Sequence, residues 1–140
     1  MEDERYLLRI EASMAIDVDL YRGGNSKTPR FDNVRDKDIV KYKDPGSGLT
    51  MVKGMSGGIS TFTCPKPEKN WHWIKAGTVV PSNLAITRDR SDSNTRITHY
   101  TIRPSQDMLL SDYIDQMQKI TGIEKLTLEQ AIALAERWVS

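Results

Sequence analysis

The sequence is short of the residues on which disulfide-stapled and metal-binding domains depend. Its 140 residues include one cysteine, Cys64, and two histidines, His72 and His99. A lone cysteine cannot form an internal disulfide, and these three residues match no recognisable zinc-ligand spacing. We therefore predict a domain that holds no metal ion and acts in a reducing compartment.

Long apolar runs are missing as well, and no stretch approaches the about 20 residues that a membrane-spanning helix needs. Residues 1–5 are mostly acidic where a secretory signal requires basic residues. This composition predicts synthesis and folding in a cytoplasm and no membrane partner. Export by a contractile or contact-dependent machine needs no such signal, so that route stays open.

Neither sign of charge dominates, because twenty Lys and Arg face nineteen Asp and Glu. A net charge of +1 neither draws the molecule to nucleic acid nor keeps it away, so such binding would need a local basic patch. The length fits one compact domain over residues 1–140 and leaves no room for a second.

What the chain does contain is a series of strand patterns followed by two helical ones. Residues 14–22 alternate apolar and polar side chains, which is the period of a half-buried strand. Strands are also predicted over 84–87 and 96–103, and a strand or a turn over each of 71–74 and 77–81. Strands that precede helices favour an α+β fold over an alternating one.

The last third of the chain has helical periodicity. A first predicted helix, ending near Gly122, buries one face formed by Leu109, Tyr113, Met117 and Ile120. A second predicted helix buries a face formed by Leu128, Ala131, Ile132, Ala135 and Val139. Thr127 and Gln130 have the spacing of a capping box at its start.

Between the first strand and the later ones lies a polar segment, residues 25–54, which prolines and glycines interrupt. No strand or helical period persists in it, so we predict a long loop with a short helix near residues 34–42. Loops of this length in a small domain are usually functional or disordered. The sequence leaves both open, and a lid over a site is one interpretation.

Two places along the predicted strands suit a ligand. Arg22 lies at a strand end before two glycines, where its guanidinium can hold a phosphate through paired N–H donors. Ser60 and Thr61 follow Gly57 and Gly58, so their hydroxyls open a strand where the backbone can approach another group closely. A solvated arginine and an ordinary turn are the alternatives.

His99 is a third candidate, because it lies among hydroxyl residues in the strand predicted over 96–103. Histidine transfers protons and orients polar ligands near neutral pH. The alternative is a structural histidine, hydrogen-bonded inside the sheet. Trp71 and Trp73 can likewise stack a base or a nicotinamide ring, or else pack a core.

Two familiar nucleotide motifs and a catalytic cysteine are not supported. Residues 54–58, Gly-Met-Ser-Gly-Gly, lack the lysine of a P-loop and do not match the glycine spacing of a dinucleotide fingerprint. Cys64 lies in a proline-rich turn without a basic helix end to activate its thiol.

Taken in order, these segments resemble the small type VI secretion toxins of the Tse-two type. The shared parts are Leu20-Tyr21-Arg22, then Gly57-Gly58-Ile59-Ser60-Thr61-Phe62, then Thr98-His99-Tyr100-Thr101-Ile102 and Pro104. The resemblance implies an ADP-ribosyltransferase-like fold of mostly antiparallel sheets with C-terminal helices. It also implies NAD as the substrate, interbacterial competition, action in a target-cell cytoplasm and a cognate immunity protein.

The resemblance further implies a catalytic set of His99, Ser60 and Thr61 and a cofactor-binding set of Arg22, Tyr100 and Gly58. One feature departs from the pattern of many ADP-ribosyltransferases, which use a late-strand glutamate. No Glu-x-Glu motif lies on a late predicted strand, and Glu124, Glu129 and Glu136 all fall within or beside the C-terminal helical region. Either His99 and its neighbours supply a different chemistry, or the resemblance describes the fold alone.

Three functions therefore stay open at this point. The first is a toxin that uses NAD. The second is a metal-independent ribonuclease, in which His99 acts as acid or base and a phosphate is stabilised by Arg88, Arg90, Arg96 or Arg103. The third is a non-catalytic interaction module whose C-terminal helices form the interface.

Overall fold

The structure is a computed structural model that describes residues 6–7 and 14–138. Its strands, in chain order, are β1 (Tyr6–Leu7), β2 (Met14–Ala15), β3 (Leu20–Gly23), β4 (Lys41–Lys43), β5 (Thr50–Val52), β6 (Ile59–Phe62), β7 (Trp71–Ile74), β8 (Val79–Val80), β9 (Leu84–Ser91), β10 (Thr98–Pro104), β11 (Met108–Leu109) and β12 (Glu124–Lys125). Two α-helices follow late in the chain, α1 (Leu110–Gln118) and α2 (Leu128–Leu134), and a 3-10 helix covers Ala135–Trp138.

Seven of these strands form the main sheet, in the order β1-β9-β10-β6-β3-β7-β12. The described strand pairings in this sheet are antiparallel. Smaller sheets pair β11-β5-β4 and β2-β8. Antiparallel sheets with two helices near the end of the chain confirm the predicted α+β class.

One face of the main sheet packs against α1. Tyr113 and Met117 lie one helical turn apart on α1, and both are fully buried, as their spacing predicts. They belong to one hydrophobic cluster with Leu20 of β3, Ile59 of β6 and Ile102 of β10. This cluster is the main core, and we call this side of the sheet the α1 face.

The opposite side of the sheet, which we call the α2 face, carries a smaller aromatic cluster. Its buried members are Tyr21, Trp71, Leu126 and Ala131 of α2, and the side chains packed against them are Phe62 and Trp73. The burial of Trp71 agrees with the core interpretation of the tryptophans. Because α2 covers only part of this face, the α2 face has room for polar side chains.

The strand predicted over residues 14–22 is broken into β2 and β3. A bend at Asp17 and Val18 separates them, and β2 leaves the main sheet to pair with β8. The alternating burial persists through the bend, with Ile16 and Leu20 both buried. The periodicity therefore predicts which side chains are buried, but it misses the break in the hydrogen-bonded ladder.

The helix predicted near residues 34–42 is wrong. Val34 and Ile39 are both buried in the main core, although five residues in a helix would turn them about 140° apart. The segment instead forms turns and then the hairpin of β4 and β5. The Lys41 ammonium, which donates to the Val34 carbonyl at 2.7 Å, helps to hold those turns.

The two C-terminal helices follow the prediction in part. The capping box of Thr127 and Gln130 is confirmed, with both reciprocal hydrogen bonds present. Ala131 and Ala135 are buried as predicted, but Leu128 and Ile132 are 38% and 53% exposed, so the prediction is wrong for these two residues. Val139 lies outside the described residues.

The end of α1 also differs from the prediction. The helix stops at Gln118, four residues before Gly122, which lies in the irregular segment between α1 and β12 with a φ of +78°. Within residues 6–7 and 14–138, no helix combines the length and apolar character that crossing a bilayer requires.

Candidate functional site

The register of the sheet separates the predicted site residues onto its two faces. Tyr21 lies opposite Phe62, and Phe62 lies opposite His99, so these three side chains share the α2 face. Ser60 is two residues from Phe62 and therefore shares that face. Arg22, next to Tyr21, projects from the α1 face.

Thr61 and Tyr100 are cross-strand partners on the α1 face, and both are buried there. Thr61 is 0% exposed, and its hydroxyl donates to the Tyr100 carbonyl at 3.1 Å. Tyr100 is 7% exposed and belongs to the main core, and this burial raises the pKa of its hydroxyl. In this conformation neither side chain reaches a ligand, so their functional roles stay predictions.

Gly58 has a packing reason to be glycine. A Cβ atom at this position would collide with the Ile102 carbonyl oxygen of β10, and the φ of +152° is also unfavourable for other residues. Gly58 thus lets β6 and β10 approach each other. Its role in cofactor binding stays a prediction.

Arg22 lies where β3 and β6 separate, because the two strands pair only at Tyr21 and Phe62. Its Nε donates to the Pro29 carbonyl at 3.2 Å, and its Nη1 donates to the Ser60 carbonyl at 3.1 Å. Burial lowers the pKa of Arg22 from its ordinary value. The guanidinium is therefore partly desolvated at the opening between these strands.

Arg22 has no ion-pair partner among the residues that the structure describes. Asp38 acts on it electrostatically, but the Asp38 carboxylate is paired with Arg35 at 2.9 Å. A partly buried cation held only by carbonyl oxygens keeps a strong preference for an anion. The arrangement suits a phosphate or diphosphate group.

A segment that we call the strap, residues 25–39, covers Arg22. His72, the cross-strand neighbour of Arg22, donates through Nε2 to the Asn25 carbonyl at 2.9 Å, and the Arg22 bond to Pro29 lies farther along. Gly24 permits this close approach, since a Cβ atom there would collide with the Thr28 carbonyl. The strap is thus tied by main-chain contacts to the strands that hold Arg22.

A cavity of about 650 Å³ lies on the strap, between it and the end of α1. Pro29 and Phe31 line it from the strap, and Ile120 and Ile123 line it from the segment after α1. Pro29 belongs to the cavity wall and also accepts the Arg22 hydrogen bond. A displacement of Pro29 would therefore alter both the wall of this cavity and the hydrogen bond of the Arg22 guanidinium.

His99 is joined to Asp89 on the α2 face. Its Nδ1 lies 2.7 Å from the Asp89 Oδ2. Because a carboxylate accepts, this contact assigns the hydrogen to Nδ1 in the neutral ring. Burial lowers the pKa of His99, Asp89 opposes that shift, and Arg103 and Arg90 add to it. A neutral ring with an unprotonated Nε2 follows near neutral pH.

Three further side chains hold the Asp89 carboxylate. Thr87 donates to it at 3.0 Å, Arg103 donates at 3.1 Å, and Thr101 makes a short hydrogen bond. Arg103 also donates to the Thr87 hydroxyl at 2.7 Å. The carboxylate is thus fixed by partners on β9 and β10, and it orients His99 in turn.

A second cavity, of about 600 Å³, opens beside His99. It is lined by Phe62, Arg90, Ser91, Asp92, Thr95, Ile97, His99 and Trp138. The rings of Phe62 and His99 lie 5.2 Å apart, and Trp138 meets Phe62 edge-on at 6.5 Å. Aromatic rings, an arginine and an oriented histidine therefore surround one space.

Sequence reasoning does not find Asp89, although it finds His99. The two side chains meet because the register between β9 and β10 shifts at His99 and Tyr100. Such a bulge admits an extra residue and redirects side chains, and nothing in the local composition announces it. The available signal is the acidic residue between Arg88 and Arg90 in a strand that faces His99.

Among the described residues, no group of three or more histidine, cysteine, aspartate and glutamate side chains is placed to hold a metal ion.

Ser60 is the last of the predicted site residues. It is partly exposed on the α2 face, and no described residue hydrogen-bonds to its hydroxyl, whereas its carbonyl accepts from Arg22. The main chain of Ser60 therefore contacts Arg22, whereas its side chain lies on the opposite face of the sheet.

A family model described as the Tse2 ADP-ribosyltransferase toxin matches residues 7–126, which is most of the chain. The match spans the strap, the opening at Arg22 and the strand that carries His99, and it confirms the resemblance seen in the ordered motifs. No curated protein sequence matches the chain significantly.

Proposed function

We propose that this chain, which belongs to the Tse2 ADP-ribosyltransferase toxin family, is an antibacterial toxin that consumes NAD in the cytoplasm of a target cell. The proposal includes an ADP-ribosyltransferase-like fold, delivery by a type VI secretion apparatus and neutralisation by a cognate immunity protein. Family membership supports the assignment of the chain as a toxin and the assignment of its reaction class. The chain's own residues support the place where NAD binds.

The observation that carries the proposal is the state of Arg22. Its charge is partly buried at the opening between β3 and β6 and is met by two carbonyl oxygens instead of a carboxylate. A diphosphate offers paired oxygens with negative charge, which match a guanidinium better than carbonyls do. Arg22 is therefore assigned to the diphosphate, whereas the Ser60 hydroxyl lies on the α2 face, across the sheet from the guanidinium, and is not assigned to this opening.

Binding of a diphosphate requires one exchange of partners. The Pro29 carbonyl occupies the Arg22 Nε, so the strap must give up this bond when the diphosphate takes its place. The Ser60 carbonyl bond to Nη1 can persist, which keeps the guanidinium at the opening. NAD binding should then alter amide hydrogen exchange in residues 25–39 more than in α2.

The test is to follow nicotinamide release and calorimetric NAD binding in the wild type, Arg22→Lys and Arg22→Ala. Lysine keeps the charge but loses the planar fork, so both variants should lose about tenfold or more in affinity. Arg30→Ala is the matched control, because Arg30 lies on the strap in an exposed pair with Asp32. It should bind NAD like the wild type.

Two outcomes count against this assignment. Equal NAD affinity in the wild type and both Arg22 variants would remove Arg22 from the site. An absence of NAD binding even to the wild type would contradict NAD consumption, and total RNA incubated in parallel would then test the ribonuclease hypothesis.

The toxin claim has a separate test in cells. Expression in a bacterial cytoplasm without a protective partner should inhibit growth, and Arg22→Ala should relieve the inhibition at equal soluble expression. Normal growth with confirmed soluble wild-type protein would contradict the toxin claim. Arg30→Ala again serves as the control and should stay inhibitory.

A further inference from the structure

The cavity beside His99 lies on the sheet face opposite to Arg22, so the NAD assignment does not account for it. Its volume of about 600 Å³ falls in the range of small-molecule sites. His99 contributes a ring nitrogen to it that the Asp89 contact leaves unprotonated. Among the described residues, none hydrogen-bonds to this Nε2.

One wall of the cavity is aromatic. Phe62 and Trp138 both line it, with ring centroids 6.5 Å apart in an edge-on arrangement. Lys66 places its ammonium 5.4 Å from the Trp138 ring and adds positive charge nearby. Flat heteroaromatic groups bind to such rings by stacking, without need of a particular hydrogen-bond pattern.

The other wall is polar and carries Arg90. Arg90 is exposed, lies opposite His99 across the strands, and has no hydrogen bond or ion pair to any residue that the structure describes. Asp92, the acidic residue in this wall, accepts from the amides of Asn94 and Thr95 at 2.8 Å each. Its charge is thereby engaged in the hairpin turn, and Arg90 is available to an anion.

We propose that this cavity binds a ribonucleotide, with its base against Phe62 and Trp138, its phosphate at Arg90 and a ribose hydroxyl donating to His99 Nε2. Asp89 is the positioning residue, because its bond to Nδ1 keeps Nε2 an acceptor. The site stands independently of NAD consumption at Arg22. The base, phosphate and sugar hydroxyl are all groups that RNA presents.

The test uses uridine 3′-monophosphate, which lacks the adenine and the diphosphate of NAD. Its binding is followed by NMR through the His99 ring and the Trp138 indole N–H, with inorganic phosphate and uridine titrated separately. The chain has only two histidines and three tryptophans, so these signals can be assigned by substitution. The nucleotide should shift both signals and bind more tightly than either fragment.

Three variants locate the ligand. Arg90→Ala should weaken binding about tenfold, because it removes a charge-assisted contact. Arg22→Ala, on the opposite face of the sheet, and Arg30→Ala, on the strap, change residues that do not line this cavity and should bind like the wild type. Equal affinity for inorganic phosphate would reduce the site to a simple anion site, and loss of binding in Arg22→Ala would place the ligand at the other face; either result overturns the proposal.

The role of Asp89 has a readout that needs no activity. Nitrogen shifts of the His99 ring should report the Nδ1–H tautomer in the wild type and a mixture of tautomers in Asp89→Asn. The pKa of His99 should fall in Asp89→Asn and rise in Arg90→Ala, since Asp89 raises it and Arg90 lowers it. A wild-type ring protonated on Nε2, or an unchanged tautomer in Asp89→Asn, would contradict the positioning role.

Discussion

The two faces of the main sheet use their polar side chains differently. On the α1 face these groups bond to the main chain: Arg22 to two carbonyls, His72 to the Asn25 carbonyl, and Tyr113 to the Ile102 carbonyl and the Ile59 amide. On the α2 face, side chains bond to one another around Asp89. Main-chain partners hold segments together, whereas side-chain partners hold other side chains in a fixed orientation.

This difference separates two ways of building a site. The opening at Arg22 is closed by the strap, and a ligand must replace a protein carbonyl there. The cavity at His99 is open, and its acceptor nitrogen is set before any ligand arrives. A ligand on the α1 face therefore rearranges backbone, whereas one on the α2 face meets side chains already in place.

The largest expected effect comes from removing the centre of the α2-face network. Asp89→Ala should lower the free energy of unfolding by about 3 kcal/mol, because it leaves the buried Arg103 charge without its carboxylate. Denaturant unfolding measures the change. Asp32→Ala, which breaks the exposed pair with Arg30, is the control and should cost less than about 1 kcal/mol. Similar losses in both variants would mean that burial does not distinguish the two pairs.

The corresponding change on the α1 face is Tyr113→Phe. It removes a hydroxyl that donates to the Ile102 carbonyl at 2.5 Å and accepts from the Ile59 amide at 3.1 Å. Leaving these buried groups unpaired should cost about 2 kcal/mol in the free energy of unfolding. Tyr42→Phe removes only an exposed hydrogen bond to Asp107 and should change stability little. A stable Tyr113→Phe would show that the α1 face tolerates the loss of its main-chain partners.

A smaller effect should follow from pushing the strap away from Arg22. A Cβ at position 24 collides with the Thr28 carbonyl, so Gly24→Ala should cost about 1 to 2 kcal/mol. It should also speed amide hydrogen exchange in residues 25–39 relative to α1. Gly46→Ala meets only the flexible Asp44 side chain at 3.5 Å and is the matched control. Unchanged exchange in Gly24→Ala would argue that the strap is not held by this close approach.

The smallest expected effect is a pH dependence shared between the faces, because each face holds one histidine. Burial lowers the pKa of both His72 and His99 in the folded protein. The native state then binds protons less readily than the unfolded chain, whose histidines titrate near about 6.5. The free energy of unfolding should therefore fall as the pH drops below that value, and the fall should end below the lowered native pKa.

Single substitutions test this sharing. His72→Gln and His99→Gln should each reduce the loss of stability between pH 7 and pH 5, which urea unfolding at a series of pH values measures. If neither substitution changes that loss, groups other than the histidines cause it, and the prediction that the two faces share the pH dependence is wrong.

Predictability from the sequence depended on whether a feature was local. The burial of Tyr113 and Met117 follows from their spacing on a helix, and the capping box at Thr127 follows from two residues three positions apart. The supposed helix near residues 34–42 failed because Val34 and Ile39 are drawn to a core that distant strands supply. Local propensity was overridden there by tertiary burial.

The candidate site shows the same limit. Arg22, Ser60 and His99 stand out in the sequence by residue type and by their glycine or strand context. Their distribution over two faces depends on the register of β3, β6 and β10, which the sequence of any one strand does not contain. A shift of one residue in that register would exchange the faces.

The sequence by itself therefore determined the α+β class, the family and the amphipathic faces of local elements, and it singled out candidate site residues, because period and residue type are properties of neighbouring positions. Tertiary structure alone decided that the strap covers Arg22 and that Asp89 orients His99. Each of these contacts joins segments distant in the chain, through a close approach at Gly24 or a bulge between β9 and β10. Such contacts arise only after strands pair, since pairing fixes which side chains meet.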